Sequence, residues 1–312
     1  MRAGWAVSVV ALAACGGPHS GSPDADANGS DADGMVDGGD GWKMLIQRPW
    51  TVGSASEQFR CRRQTITEDM YITGLRALAP TGTHHTLLTI PDVQGTNGNF
   101  DCTPNEISGT PQLLFGGGIG TNDFLFPPGV AVKIPAGTQL QLYLHIYNAS
   151  DATMNDTSGI LVKTVPASEV VNEADMFFVG KRTFQIPPDA TPADPPAPYS
   201  ITTDCGNGTL GDWHVVGMWP HMHQHASHQK VEITRANVTM KTPLDVAFDF
   251  KEQRNYAMDY VVPPNDRIAV TCTWLNDTGS MLYSGDNFGN EMCYAGLFVY
   301  PKVGNLYGCV NN

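Results

Sequence analysis

The chain has 312 residues, with 18 Lys plus Arg against 31 Asp plus Glu and a net charge of -13. No basic surplus exists to neutralise phosphates, so nucleic-acid binding is excluded as a main role. Hydrophobic residues at 41% rule out wholesale disorder, and 33 glycines with 22 prolines suit short strands and turns better than helices.

The first fifteen residues read as an export signal. Arg2 is a minimal positive head, residues 5–14 form a short apolar run, and Leu12-Ala13-Ala14-Cys15 reads as a lipobox. The run is too short to span a bilayer as a helix. It resembles a bacterial lipoprotein signal, which implies cleavage before Cys15 and lipidation of that cysteine. An ordinary secretory signal is the plainer alternative, and both export the chain. Residues 16–41 carry Asp24, Asp26, Asp31, Asp33, Asp37 and Asp40 among Gly, Ser and Ala, with no Lys or Arg. Such a composition buries too little apolar surface to fold and reads as a solvated tether. The expected location is the cell envelope, at the outer membrane or cell surface, with membrane contact only through the N-terminal lipid.

Beyond Cys15, six cysteines remain: Cys61, Cys102, Cys205, Cys272, Cys293 and Cys309. No C-x-x-C pair occurs, so three disulfides in an oxidising compartment are the simplest account, with fifteen pairings open.

From Trp42 onward, apolar and β-branched runs alternate with turn signals. Strands are expected at 59–66, 71–77, 84–90, 138–147, 160–165 and 176–179. A second set covers 183–186, 214–218, 230–234, 244–250, 256–262, 267–274 and 295–300. No amphipathic helix interrupts them. Six prolines between Pro187 and Ser200 forbid regular pairing there. The expected fold is all-β: two tandem antiparallel, jelly-roll-like β-sandwich domains, 42–180 and 181–312, with a metal cleft between them.

The histidines are the most informative feature. His19 lies in the tether; the rest are His84-His85, His145 within Leu-Tyr-Leu-His-Ile-Tyr, and the group His214, His221, His223, His225 and His228. His221 and His223 are two apart, so on a strand both rings point to one face and can share a metal. His84 and His85 would face opposite ways unless a bulge or strand end intervenes. Taken alone, His145 reads more readily as a core residue than as a ligand, and His214, His225 and His228 read as surface or supporting residues. An H-x-H also occurs in cupins, but the next acid here is the distant Glu232, and seven residues separate Pro135-Ala136-Gly137 from His145. That spacing does not suit a cupin.

In chain order, His84-His85, Leu142-Tyr143-Leu144-His145, Pro220-His221-Met222-His223 and Glu291-Met292-Cys293 resemble the metal motifs of the copper type II, ascorbate-dependent monooxygenases. This is the family of peptidylglycine α-hydroxylating monooxygenase and dopamine β-monooxygenase, and the resemblance spans about residues 43–309. It implies two coppers per chain, one held by His84, His85 and His145 and the other by His221, His223 and Met292. Imidazoles accept both copper oxidation states, and a thioether favours Cu(I). It also implies disulfides Cys61–Cys102, Cys205–Cys309 and Cys272–Cys293. The implied reaction is hydroxylation of an activated C–H bond of a small or peptide-like substrate, with O2 and ascorbate or an equivalent electron donor.

The chain departs from the peptide-hydroxylating branch where that branch grips a carboxylate. Those positions are Trp219, Tyr294 and Gly296, and the glutamine two before the lone histidine is Tyr143. No cation stands at that place, so glycine-ended peptides are not expected to turn over. Trp219, Tyr294 and Phe298 are the candidate aromatic wall of the substrate cleft, or else core residues. Two other readings use the same residues: a non-catalytic copper-binding surface lipoprotein for storage or delivery, and a structural zinc or adhesion module using the H-x-H alone.

Overall fold

A computed structural model describes residues 39–107, 111–189, 197–207, 211–285, 289–303 and 309–311. Cys15, the signal segment and tether residues 16–38 lie outside the described residues. The first half contributes β1 (Lys43–Val52), β2 (Ser56–Thr65), β3 (Met70–Leu78), β4 (Thr83–Ile90), β5 (Gly98–Asp101), β6 (Gln112–Gly117), β7 (Phe124–Leu125), β8 (Val130–Ile134), β9 (Gln139–Asn148) and β10 (Met154–Thr164). Next come β11 (Asn172–Lys181), β12 (Gln185–Ile186), β13 (Tyr199–Gly206), β14 (Trp213–Met222), β15 (Ala226–Arg235) and β16 (Val238–Ala247). The chain closes with β17 (Tyr256–Val262), β18 (Arg267–Trp274), β19 (Leu282–Tyr283), β20 (Cys293–Tyr300) and β21 (Cys309–Asn311). Among the described residues only two short 3-10 turns are helical, so the chain is all-β and its pairing is antiparallel in the main.

One long sheet runs β1-β10-β3-β8-β11-β20-β14-β17, a five-stranded sheet runs β5-β2-β9-β4-β6, and a four-stranded sheet runs β13-β18-β15-β16. Strands of both halves build the long sheet. β11 lies parallel to β8 on one side and antiparallel to β20 on the other, so hydrogen bonding continues past residue 180 without a break. The described residues, from 39 onward, form one unit by contact.

Two buried clusters follow from strand alternation. The first gathers Leu88, Phe115, Leu142, Leu144, Ile160 and Phe178, and takes in Val216, Trp219 and Phe298 from the second half. The second gathers Phe177, Val179, Val215, Met218, Val270, Trp274 and Leu297. On β11, Phe177 and Val179 face one cluster while Met176 and Phe178 face the other, which is why that strand reads as a continuous apolar run.

Several strands escaped the sequence reading for local reasons. β1 carries Pro49, which is tolerated because β1 ends the long sheet. β16 starts six residues earlier than its apolar run, because Ala236 and Asn237 adopt positive φ values of 47° and 64° in a two-residue hairpin with weak turn signals. Residues 248–250, expected at the end of that strand, leave it as a loop.

Three disulfides join Cys61–Cys102, Cys205–Cys309 and Cys272–Cys293, the pairs the resemblance implies. Their number suits an exported chain. Cys272–Cys293 closes a loop of 21 residues between β18 and β20, and loops of that size are stabilised by about 3 kcal/mol. Replacing both cysteines by alanine is therefore expected to lower unfolding free energy by about 3 kcal/mol, read from urea denaturation under non-reducing conditions.

Candidate metal centre

His84 and His85 lie on β4, and His145 lies on β9, the central strand of the five-stranded sheet. Thr83 pairs with Ile146 but His85 pairs with His145, so His84 is the extra residue of a bulge. That bulge brings adjacent histidines round to one side, with ring centroids 4.1 Å apart, while His84 meets His145 at 4.8 Å. Ligand nitrogens of the three lie within 4.8 Å of one another. Phe59 stacks on His145 at 4.6 Å, and the Glu57 carboxylate of β2 accepts a hydrogen bond from His145 Nε2–H. The nitrogen left open on His145 is Nδ1.

The second group depends on another bulge. On β14, Trp213 and Val215 point into the second core, whereas Met218 and Met222 do so further along; Val216 is the extra residue in the pairing with β20. The change of phase turns Trp219, His221 and His223 to the opposite face. His221 Nδ1 hydrogen-bonds Gln253 Oε1 at 2.8 Å, and His223 Nδ1 donates to the carbonyl of Asn290 at 2.8 Å, so both rings present Nε2.

Met292 follows Glu291, which is fully buried. The Glu291 carboxylate accepts from the backbone N–H of His223 (3.2 Å) and His225 (2.9 Å), from the Trp274 indole N–H (2.8 Å) and from the Met292 backbone. One carboxylate thus fixes the turn after the H-x-H and the segment bearing Met292. Burial raises its pKa to about 7 against the pull of those four donors.

The two groups stand side by side. His85 is 5.3 Å from His221 and 6.1 Å from His223 between ring centroids. The loop after β16 lies across them: Phe250 packs edge-on to His84 at 4.5 Å, and Gln253 Nε2 lies 3.4 Å from His85 Nε2 while its oxygen holds His221. Thr121 donates to the Gln253 carbonyl, and Asn122 exchanges hydrogen bonds with Asn255, anchoring that loop to the first half. His85, His145, His221, His223 and Met292 line a single cavity of about 250 Å³.

Burial strips the imidazoles of charge. It holds His84 and His221 down to about 3 and His145 and His223 to about 4, and pushes His85 well below its usual value; neighbouring imidazoles are a further cause for His84, His85, His145 and His221. The His145–Glu57 contact is therefore a hydrogen bond from a neutral ring. Neutral imidazoles with open nitrogens, beside a thioether, are a ligand set for a soft or borderline metal ion.

Trp219, 1% exposed, stacks on His221 at 4.7 Å and lines the cavity with Tyr294 and Tyr143. Its ring fills the space over Gly116, where a Cβ would come within 2.4 Å. Phe298 does not belong to that wall. It is fully buried in the first core, stacked on Phe124 at 4.4 Å, because the face of β20 that bears Tyr294 leaves the cavity beyond Gly296. His214 stacks on Tyr300, His228 meets Asp245, and His225 contributes its backbone to Glu291. Glu57 and Gln253 were not legible in sequence, since each sits in a polar stretch without a motif. Lys181 and Arg182 also line the cavity; the only signal for them was their place at the end of an apolar strand.

No family model and no curated protein matches the chain. Among solved structures it is similar to the infectious bursal disease virus VP2 subviral particle, at 10% identity over 89% of this chain and 77% of that one, TM-score 0.24. The infectious bursal disease virus Gx strain gives 9% identity over the same shares and a TM-score of 0.26. The Macrobrachium rosenbergii nodavirus gives 9% identity over 91% and 96%, TM-score 0.17.

The depressed imidazoles set a pH dependence for the metal-free protein. An unfolded chain protonates its histidines below about 6.5 while the folded chain does not, so their stability contribution is whole above that pH and is lost as pH falls towards 4. Glu57 and Glu291, both raised by burial, act in the opposite sense, two groups against five. Urea unfolding from pH 7 to 4 is expected to show a net fall, with each imidazole adding up to about 1.4 kcal/mol per pH unit. A flat profile would contradict a neutral buried cluster.

Proposed function

We propose that the chain is a copper-dependent monooxygenase that hydroxylates an activated C–H bond of a small or peptide-like molecule, using O2 and ascorbate or another one-electron donor. The observation that carries this reading is the convergence of His85, His145, His221, His223 and Met292 around one cavity, with His84 grouped against His85 and His145, from motifs up to 208 residues apart in the chain. His84, His85 and His145 would hold one copper, His145 through Nδ1; His221 and His223, through Nε2, would hold the other with Met292. Bound copper supplies the one-electron chemistry by which O2 reacts with a C–H bond, one oxygen atom entering the product and the other leaving as water.

The protein supplies position. Glu57, Gln253 and the Asn290 carbonyl fix which nitrogen each ring presents, and Glu291 fixes the segment carrying Met292. Trp219 and Tyr294 offer an apolar wall that excludes water beside the histidines. Acylation of Cys15 would anchor this body to the bacterial envelope, with residues 16–41 as its tether.

Copper content and X-ray absorption of the reduced protein test the reading. Two coppers per chain are expected, with a sulfur scatterer that disappears in Met292→Ala; one copper, or zinc, would overturn it. Oxygen uptake with ascorbate that rises with added substrate separates a monooxygenase from a copper store, which would bind the same metal without substrate-dependent uptake. Glu57→Gln is expected to weaken copper binding at the three-histidine group by 10–100-fold, read by competition with a Cu(I) chelator, and to spare the Met292 group.

A further inference from the structure

One side-chain amide stands between the two histidine groups, and each of its ends has a partner. Gln253 is buried; its Oε1 accepts from His221 Nδ1–H at 2.8 Å, and its Nε2 donates to His85 Nε2 and to the Phe250 carbonyl, both at 3.4 Å. A carbonyl can only accept, so Phe250 fixes which end of the amide is which, whatever protons the rings carry. Turning the amide over would set oxygen against oxygen there. The placement therefore dictates the tautomers. His221 keeps a proton on Nδ1, whereas His85 accepts at Nε2 and carries its one proton on Nδ1.

For the two groups the consequence has opposite sign. A metal on His221 Nε2 leaves the Nδ1–H bond to Gln253 in place. A neutral imidazole has one lone pair to give, and that of His85 already receives the Gln253 N–H. Coordination through His85 Nε2 displaces that N–H, and coordination through Nδ1 moves the ring proton to Nε2 and sets donor against donor. The amide must give way in either case. Its backbone is pinned, because Thr121 donates to the Gln253 carbonyl and Asn122 exchanges hydrogen bonds with Asn255. The side chain is what moves, and swinging it off His85 draws Oε1 away from His221, leaving a buried N–H without its acceptor.

We infer that Gln253 makes the two metal groups compete: a metal on His84, His85 and His145 weakens binding at His221, His223 and Met292, and by linkage the reverse holds to the same extent. The competition rests on the two-copper reading; the tautomers rest on the amide alone.

Two measurements test it. Long-range 1H–15N correlation spectra of the copper-free full chain are expected to show the His85 ring protonated at Nδ1, and a proton on Nε2 would overturn the inference with no variant and no metal involved. Stepwise Cu(I) titration against a chelator is the second, with X-ray absorption telling the sulfur-bearing site from the other. Gln253→Met is expected to tighten the three-histidine group about three- to tenfold, as one hydrogen bond is released, and to loosen the Met292 group about tenfold or more. General damage to the fold would loosen both. In the wild type, the three-histidine group should bind more weakly once the other is filled, and in Gln253→Met that gap should shrink at least about fivefold. Shifts of the same sign at both groups, or a gap that the substitution leaves unchanged, would overturn the inference and leave the two-copper reading standing. A chain that takes up no copper would remove that reading and the competition with it.

Discussion

An imidazole taken out of water must give up its charge and find a partner for its remaining N–H, and the architecture around the cavity answers that requirement ring by ring. His145 is answered by Glu57, His221 by Gln253 and His223 by a backbone carbonyl. Each partner comes from a different segment, so the rings stay aimed only while β2, β9, β14 and the loop after β16 keep their places. The open nitrogens of the cluster are thus a property of the whole sheet arrangement and of no single strand.

Two one-residue insertions in the hydrogen-bond ladders do the local aiming. In β4 the bulge at His84 lets neighbours share a side; in β14 the bulge at Val216 changes which residues face the second core. Without the latter, His221 and His223 would point into the cluster now filled by Met218 and Met222. The long sheet then carries this aim across the molecule, since β11 joins both halves and β14 and β20 sit on it in series. Walls built on strands hold a site more tightly than loops do.

Much of this was legible in sequence, and the exceptions share a cause. The all-β class, the H-x-H face and the need for a bulge at His84-His85 follow from strand periodicity, which is a local property. Phe298 stayed open between cleft wall and core because alternation gives the side a residue faces but not where along the strand a cavity ends. Gln253, Glu57, Lys181 and Arg182 were silent because each acts across a long sequence separation, and nothing about an isolated glutamine or lysine records its eventual neighbour. β1 was hidden by Pro49, a residue whose meaning depends on whether the strand is an edge.

The Trp219 ring occupies the volume in which residue 116 would carry a Cβ. The two positions, on strands of different sheets and 103 residues apart, therefore form a lock and its keyway. The constraint runs one way: while the indole stays, residue 116 has no room for a side chain, whereas a slimmer residue at 219 would open that room. The cavity wall beside His221 is in that sense set by two positions together, one filling the space that the other leaves.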